Sequence, residues 1–301
     1  MQFNKKDIIS IEDFSKDEIL HVISTSLKME SFPKLLNGEI LASLFFEPST
    51  RTRLSFEAAM HRLGGNVIGF SDISKTSLAK GESFEDTIKV VDGYSDVIVV
   101  RHPKEGFAKI AADIANKPVI NAGDGSNQHP TQTFLDLFTI FKSKGDIENL
   151  NIGFLGDLKF GRTVHSLALA LSNFNVNMFF ISPNKLKMPK DILNKLEGKI
   201  NFMETADIYE VSNKLDVVYA TRIQQERFQV DEDFQLVKGS YNLDLEFLKK
   251  AKNDVIIMHP LPRVGEIKHE LDATKNAVYF KQAYYGLPVR MALLSLVLGK
   301  I

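Results

Sequence analysis

The sequence contains no cysteine among its 301 residues, which excludes disulfides, thiolate metal sites and a cysteine nucleophile. It also lacks a basic surplus: 37 Lys and Arg against 38 Asp and Glu give a formal net charge of −1, so we expect no nucleic-acid partner. No apolar run reaches membrane-spanning length, and the N-terminal residues lack the apolar core of a signal peptide. These absences predict a soluble, cytoplasmic protein without a membrane partner.

Short β-branched runs alternate with amphipathic stretches along most of the chain, whose length suits about two domains of ~150 residues each. The predicted strands are Val67–Phe70, Asp96–Val100, Pro118–Asn121, Asn151–Leu155, Asn177–Ile181, Asp216–Ala220 and Val255–His259. The predicted helices between them include Thr50–Leu63, Phe107–Asn116, Thr163–Phe174 and Leu245–Lys252. Alternation on this scale predicts an α/β fold with parallel sheets flanked by helices.

Three further patterns predict helices. Ser15 and Glu18 have the spacing of a capping box ahead of an early apolar run. The stretch Thr131–Phe141 ends at Lys144-Gly145, a basic last turn followed by a glycine stop, and we expect this helix to leave one domain and enter the next. The nearly all-apolar stretch Arg290–Leu298 must be buried, and we expect it to pack back on the first domain.

The segment Phe45–Glu57 predicts an anion site at the start of a helix. Pro48 blocks a helix before it, and Ser49 suits the N-cap position. Unpaired N–H groups at a helix start, together with the forked guanidinium groups of Arg51 and Arg53, are suited to phosphate. The alternative is a capped surface helix with two solvated arginines.

A second candidate segment is Asn121–Gln132, where a strand runs into a polar loop and then a new helix. Open α/β sheets bind ligands at loops that follow the carboxyl ends of strands. His129 at the helix mouth can donate to a carbonyl oxygen, and Gln132 can hydrogen-bond an amide. Taken alone, His129 is as well explained as a cap of the helix.

Three other loops carry polar or cationic groups. Arg222 and Gln224 follow an apolar strand two positions apart, so in extended backbone they share one face. In Met258–Arg263 two prolines stiffen the chain after a buried strand, which either holds backbone carbonyls in place or forms an ordinary loop. Within Ser77–Glu82, Lys80 can reach an anion, although a single lysine in a polar loop is usually solvated.

Neither of two common nucleotide-binding motifs is present in full. Gly156–Thr163 resembles the phosphate loop G-x-x-x-x-G-K-S/T, but Arg162 stands where the lysine belongs, and the dinucleotide motif G-x-G-x-x-G is absent. The remaining interpretation places Arg162 at a strand end, where it suits a carboxylate; an NTPase would rest on this near match alone. The spacing of the histidines fits no metal-ligand motif, so we expect no metal.

Taken together, these segments resemble the transcarbamylases, and most closely the aspartate-specific branch of that family. The motifs occur in the family's order and cover about the whole chain. They are F-x-x-S-T-R-T-R at Phe46–Arg53, S-x-x-K-G-E at Ser77–Glu82, V-R-H-P at Val100–Pro103, H-P-T-Q at His129–Gln132, G-D-L-K-F-G-R-T at Gly156–Thr163, T-R-I-Q at Thr221–Gln224 and H-P-L-P-R at His259–Arg263.

The resemblance implies two doubly wound parallel-sheet domains joined by two interdomain helices. Residues 1–133 plus 285–301 would bind carbamoyl phosphate, and residues 134–284 would bind aspartate. The implied reaction converts these substrates to N-carbamoyl-L-aspartate and phosphate without a metal or cofactor, as the committed early step of pyrimidine (UMP) synthesis. The family further implies a homotrimer with shared active sites and possible regulatory chains.

The resemblance also implies roles for individual residues. The phosphate would be held by Ser49, Thr50, Arg51, Thr52 and Arg101. The carbamoyl group would contact Thr52, Arg101 and His129 through its oxygen, Gln132 through its amide, and the carbonyls of Pro260 and Leu261. Aspartate would be bound by Arg162, Arg222 and Gln224. A neighbouring subunit would contribute Lys80 and Ser77, with Thr76 as the alternative hydroxyl.

Two alternatives are weaker. The ornithine-specific branch carries a cysteine in its H-C-L-P segment, where this chain has Pro260, and Arg222 would repel an ornithinium side chain. A non-catalytic relative that only binds carbamoyl phosphate or a partner is disfavoured by the intact Arg51, His129 and Arg222.

Overall fold

A computed structural model describes residues 3–224 and 241–301. The chain forms two compact units, one of Met1–Phe138 with Tyr285–Ile301 and the other of Thr139–Tyr284. Each unit is built around its own parallel sheet, as the alternation of apolar strands and amphipathic helices predicts. In the described ranges no helix combines the length and the apolar composition needed to cross a membrane.

The first unit contains a four-stranded parallel sheet of order β2-β1-β3-β4. Its strands are β1 (Ile40–Phe45), β2 (Asn66–Phe70), β3 (Val97–His102) and β4 (Val119–Asp124). Its helices are α1 (Lys16–Met29), α2 (Thr50–Arg62), α3 (Phe84–Asp92) and α4 (Phe107–Ile114). The strand order reverses direction at β1 and β3, which makes their carboxyl ends a topological switch point.

The second unit contains a five-stranded parallel sheet of order β7-β6-β5-β8-β9. Its strands are β5 (Asn151–Leu155), β6 (Asn177–Ile181), β7 (Asn201–Thr205), β8 (Val217–Ala220) and β9 (Ile256–Met258). The described helices of this unit are α6 (Arg162–Leu171), α7 (Lys190–Leu196) and α8 (Leu245–Lys250). Here the switch point lies between β5 and β8.

Two helices contain the boundaries between the units, α5 (Pro130–Lys144) and α9 (Tyr279–Val297). The two helices predicted around Thr131–Phe141 and Arg290–Leu298 are therefore confirmed, although α9 begins well before Arg290. The predicted fold class, two parallel-sheet domains joined by two helices, is confirmed with them. Pro288 lies inside α9, where a missing backbone N–H is tolerated at a local cost.

The capping box at the start of α1 is confirmed. The backbone N–H of Glu18 donates to the Ser15 hydroxyl at 3.3 Å, and the backbone N–H of Ser15 donates to the Glu18 carboxylate at 2.9 Å. The central strand β1, in contrast, is absent from the predicted strands. Its sequence ILASLF is apolar except for Ser43 and contains one β-branched residue, so neither alternation nor composition distinguishes it from a buried helix.

Candidate active site

The first unit carries several of the predicted residues on loops at one edge of its sheet. In the register of the strands, Phe45 at the end of β1 lies beside Arg101 near the end of β3. The backbone N–H of Phe46 donates to the carbonyl of Arg101 at 2.8 Å. The segment that follows β1 therefore starts directly beside Arg101, at the switch point of this sheet.

The predicted phosphate segment forms the start of α2. Ser49 occupies the N-cap position, as predicted. Its hydroxyl, however, makes no capping hydrogen bond. Thr50 and Arg51 are exposed and Thr52 is buried. Because no side-chain cap occupies the helix start, its N–H groups, its positive dipole and the Arg51 guanidinium are arranged for an anion.

Arg101 is held in place by contacts that include Ala122 and Glu47. Its Nη1 donates to the carbonyl oxygen of Ala122 on β4 at 3.1 Å, and its Nη2 lies 2.7 Å from Oε1 of Glu47. The side chain of Arg101 is 13% exposed. A phosphate bound at this guanidinium would share it with the Glu47 carboxylate or displace that carboxylate, because both anions need the same N–H groups.

The loop after β4 is organised by the buried carboxylate of Asp124. Asp124 accepts hydrogen bonds from the Asn121 amide at 2.9 Å, the Gln128 backbone N–H at 3.1 Å and the Gly106 backbone N–H at 2.8 Å. Since these donors come from both sides of the loop, the charge fixes its path into α5. The loop thereby delivers the buried side chain of His129 to the mouth of that helix.

His129 and Gln132 are brought together by the first turn of α5. The carbonyl oxygen of His129 accepts from the backbone N–H groups of Gln132 at 3.0 Å and Thr133 at 3.2 Å. The backbone of His129 thus caps the helix, as the alternative interpretation holds, while its imidazole ring is a separate group placed at the helix start. Gln132 is half-buried, and its amide nitrogen donates to Asp136 at 2.8 Å.

The loop that contains Lys80 follows β2, the outermost strand of this sheet. Lys80 and Ser77 are exposed on a short 3₁₀ turn that ends at Gly81, whose φ of 95° lies in the left-handed region. The Thr76 hydroxyl donates to the carbonyl of Ile73 at 2.8 Å. Because Thr76 is engaged within its own turn, Ser77 is the better candidate for the hydroxyl role.

The second unit repeats the arrangement at the ends of β5 and β8, where Leu155 and Ala220 are register partners. Arg162 is the first residue of α6, and Arg222 and Gln224 follow β8; all three are half-buried. Loops after adjacent parallel strands leave the same edge of a sheet. The three residues predicted to bind aspartate therefore lie at one switch point.

A fully buried carboxylate, Asp157, links these two loops. It accepts from the backbone N–H of Phe160 at 3.0 Å and from the backbone N–H of Gln224 at 3.2 Å. Burial raises the pKa of Asp157 above its usual value, while these hydrogen bonds and the charge of Arg222 oppose the rise. Asp157 is thus one of the groups that set the position of the Arg222–Gln224 strand end.

The turn after β9 is fixed by His259. Its Nδ1 accepts from the backbone N–H of Leu261 at 2.8 Å, and its Nε2 lies 2.6 Å from Oε1 of Glu266. An accepting Nδ1 places the ring proton on Nε2, which donates to the carboxylate. This arrangement holds the carbonyls of Pro260 and Leu261, both half-buried, more firmly than two prolines alone would.

Three carboxylates that organise these loops were not predicted from the sequence: the buried Asp124 and Asp157, and the half-buried Glu266. Asp124 and Asp157 share one sequence signal, since each directly follows a glycine at, or just after, the end of an apolar strand. Glu266 carries no such signal. Within residues 3–224 and 241–301, no cluster of three His, Asp or Glu side chains is arranged to hold a metal ion.

Comparisons with known proteins identify the family. Residues 6–142 match the carbamoyl-phosphate-binding domain of the aspartate/ornithine carbamoyltransferases, and residues 148–297 match their Asp/Orn-binding domain. The chain is 58% identical to the aspartate carbamoyltransferase catalytic subunit of Thermococcus kodakarensis, with 99% of each chain covered.

Two solved structures are similar over nearly the whole chain. One is the catalytic subunit of M. jannaschii aspartate transcarbamoylase, with 52% identity, a TM-score of 0.92 and 98% of each chain covered. The other is aspartate transcarbamoylase from Trypanosoma cruzi in complex with carbamoyl phosphate and aspartate. It is 39% identical, with a TM-score of 0.93, and the match covers 98% of this chain and 96% of that chain.

Proposed function

The chain belongs to the aspartate/ornithine carbamoyltransferase family, and we propose on this basis that it transfers the carbamoyl group of carbamoyl phosphate to L-aspartate. The products are N-carbamoyl-L-aspartate and phosphate, and the reaction is the committed early step of pyrimidine (UMP) synthesis. The observation that carries this proposal is the near-full-length similarity to aspartate-specific relatives.

Aspartate is favoured over ornithine by the residues of the second unit. Arg162 and Arg222 stand at the switch point of this sheet, where two guanidinium groups suit two carboxylates. An ornithinium side chain would meet positive charge there instead. The position that carries a cysteine in the ornithine branch is Pro260 in this chain, which contains no cysteine.

We assign carbamoyl phosphate to the first unit. The phosphate is bound by the start of α2 and by Arg101, through Ser49, Thr50, Arg51, Thr52 and Arg101. The carbonyl oxygen of the carbamoyl group accepts hydrogen bonds from Thr52, Arg101 and His129. The carbamoyl amide contacts Gln132. Support comes from the uncapped helix start and from the register that places Arg101 beside the end of β1.

In the second unit, the carboxylates of aspartate are assigned to Arg162, Arg222 and Gln224. The backbone carbonyls of Pro260 and Leu261 orient the carbamoyl nitrogen and the incoming amine. The division into a carbamoyl-phosphate domain of 1–133 plus 285–301 and an aspartate domain of 134–284 is part of this proposal.

The chemistry needs positioning more than an acid or base on the protein. The neutral amine of aspartate attacks the carbamoyl carbon, and negative charge develops on the carbonyl oxygen. Each fixed donor at such an oxygen supplies about 3–4 kcal/mol, and binding two reactants in line supplies roughly 7–11 kcal/mol. The C–O bond to phosphate then breaks, and the leaving phosphate accepts the amine proton.

The assembly and location are also part of the proposal. We propose a cytoplasmic homotrimer in which Lys80 and Ser77 act in the active site of a neighbouring subunit, with regulatory chains as possible further partners. Support comes from the family and from the exposure of both residues at the edge of their sheet. An exposed lysine can reach an anion bound by another subunit.

A substrate-panel assay of the purified chain tests the function. Phosphate release is measured with carbamoyl phosphate and each of L-aspartate, L-ornithine and other amines, and the product is identified by mass. Turnover with aspartate alone is expected, whereas turnover with ornithine but not aspartate would reassign the substrate. The native mass of the assembly in the same preparation tests the trimer separately.

A further inference from the structure

Asp136 and Arg290 form a buried charged pair in the first unit, and Asp136 is hydrogen-bonded to Gln132. The amide nitrogen of Gln132 donates to Oδ1 of Asp136, one helical turn later on α5, at 2.8 Å. Asp136 is fully buried, and Arg290 on α9, whose positive charge interacts with Asp136, is 3% exposed. Neither Asp136 nor Arg290 contacts a substrate in the proposed reaction, so the burial of these two charges has another cause.

Neighbouring residues leave a specific space for the Arg290 guanidinium. Its guanidinium carbon lies 5.0 Å from the ring centroid of Phe56. A Cβ atom at position 286 would collide with its Nη1, so Gly286 makes room for the guanidinium. Burial lowers the pKa of Arg290 to about 10, against the opposing effect of Asp136, and the side chain is therefore still charged at neutral pH.

Burying this pair has a cost that well-packed apolar residues would avoid. A buried charge that stabilises the fold poorly can be retained because it fixes the orientation of a neighbouring group. Here the neighbour is an amide, whose two ends differ chemically: the nitrogen donates two hydrogen bonds and the oxygen accepts. If the amide nitrogen of Gln132 is bonded within the protein, its amide oxygen faces a ligand, and the reverse also holds.

An ionised carboxylate can only accept hydrogen bonds. Asp136 therefore requires the nitrogen of Gln132 to face it, and the amide oxygen of Gln132 must point to the other side. The positive charge of Arg290 favours the ionised form of Asp136. With a neutral partner that can also donate, such as asparagine, the amide of Gln132 could turn over and present its NH₂ group.

We propose that Asp136 and Arg290 are positioning residues that hold the Gln132 amide oxygen outward as an acceptor for the NH₂ group of the carbamoyl moiety. This inference rests on the proposed function. Its consequence is substrate selection: a carbamoyl group supplies the donor that this oxygen needs, whereas an acyl phosphate with a methyl group in that place leaves the oxygen unsatisfied. Leaving a desolvated acceptor unpaired weakens binding by roughly 10- to 100-fold.

Two stable ligands isolate this difference. Phosphonoacetamide and acetonylphosphonate differ only in carrying NH₂ or CH₃ on the carbonyl carbon, and neither requires turnover. Their dissociation constants are measured by calorimetry in the absence of aspartate. In the wild-type protein we expect phosphonoacetamide to bind at least about 10-fold more tightly, whereas equal binding would contradict the proposal.

The Asp136→Asn variant tests whether Asp136 orients the Gln132 amide, because asparagine keeps the shape of the side chain and removes its charge. We expect its preference for phosphonoacetamide to fall to about 3-fold or less. Gln132→Leu should lose the preference as well, and adding Asp136→Asn to Gln132→Leu should change it no further, since Asp136 acts through Gln132. An unchanged preference in Asp136→Asn, or additive losses in the double variant, would overturn the proposal.

Arg290 supplies a second route if Asp136→Asn does not fold, as judged by thermal unfolding. Arg290→Lys keeps the charge and should keep the preference, while Arg290→Met fills the space without charge and should lose it. Equal preferences in these two variants would refute the inference. Turnover of the wild-type protein with carbamoyl phosphate and aspartate is measured alongside, so a failure of the proposed function is seen separately.

Discussion

The backbone N–H of Gln224 donates to the buried carboxylate of Asp157 at 3.2 Å, joining the loops that follow two neighbouring strands. The two residues are 67 positions apart in the sequence. Through this bond, the carboxylate after β5 sets the position of Arg222 and Gln224 after β8. The aspartate half of the proposed site is therefore supported by a buried carboxylate that is hydrogen-bonded to both loops.

Asp157→Asn should weaken aspartate binding and leave carbamoyl phosphate binding nearly unchanged. Asparagine retains one oxygen acceptor but loses the charge, and a hydrogen bond to a charged group contributes about 1.5–3 kcal/mol. We expect the KM for aspartate to rise about 10-fold or more in steady-state assays. Asp191→Asn, at an exposed position of α7 in the same unit, is the matched control and should behave as wild type.

Arg51→Ala should abolish most of the activity without unfolding the protein. Arg51 is exposed at the start of α2, so its removal costs little stability, whereas the proposed contact of its guanidinium with phosphate is lost. We expect kcat/KM for carbamoyl phosphate to fall by about 100-fold or more. Arg62→Ala, at the exposed end of the same helix, removes an equal charge and should retain activity. Similar losses in both variants would show that only net charge matters.

Lys80→Ala should be inactive alone and should recover activity when mixed with Arg51→Ala subunits. If each site combines Arg51 of one subunit with Lys80 of its neighbour, random mixing into trimers leaves about a quarter of the sites intact. The measurement is activity after dissociation and reassembly of equal amounts of the two variants. Lys75→Ala, in the same exposed loop, is the control. No recovery would place Lys80 in the site of its own chain or outside any site.

Asp272 should contribute to stability at neutral pH but not in strong acid. Arg263 and Tyr279 donate hydrogen bonds to it, and the bond from Arg263 is the main cause of a pKa below its usual value of 3.8. The unfolded chain therefore takes up this proton first, and the stabilisation is lost as the pH falls below 3.8 towards the folded-state pKa. Asp272→Asn should lower the free energy of unfolding at pH 7, measured by urea titration, and the difference from wild type should shrink on acidification.

The sequence predicted those parts of the site that depend on local patterns. Strand-turn-helix patterns and capping residues predict Ser49–Thr52 at a helix start and His129 at the mouth of α5. The same kind of pattern predicts Arg162 at a strand end, one residue before a helix, and the structure has it as the first residue of α6. The Gln132–Asp136 bond spans four positions on a predicted helix and could also have been anticipated.

The parts that escaped prediction depend on distant contacts. Nothing near Asp136 indicates that Arg290 will lie close to it, and nothing near Asp157 indicates Gln224. The strand β1 was missed for a different reason, because a strand buried on both faces carries no alternation of polar and apolar residues. Its place at the centre of the sheet is set by pairing with β2 and β3.

The most direct test of the residue assignments is a crystal structure of the protein bound to N-(phosphonacetyl)-L-aspartate, which joins a phosphonate to the aspartate skeleton. We expect the phosphonate to contact the start of α2 and the guanidinium groups of Arg51 and Arg101. We expect Arg162 and Arg222 to bind the carboxylates. A phosphonate bound away from Arg51, or carboxylates that contact neither Arg162 nor Arg222, would contradict these assignments.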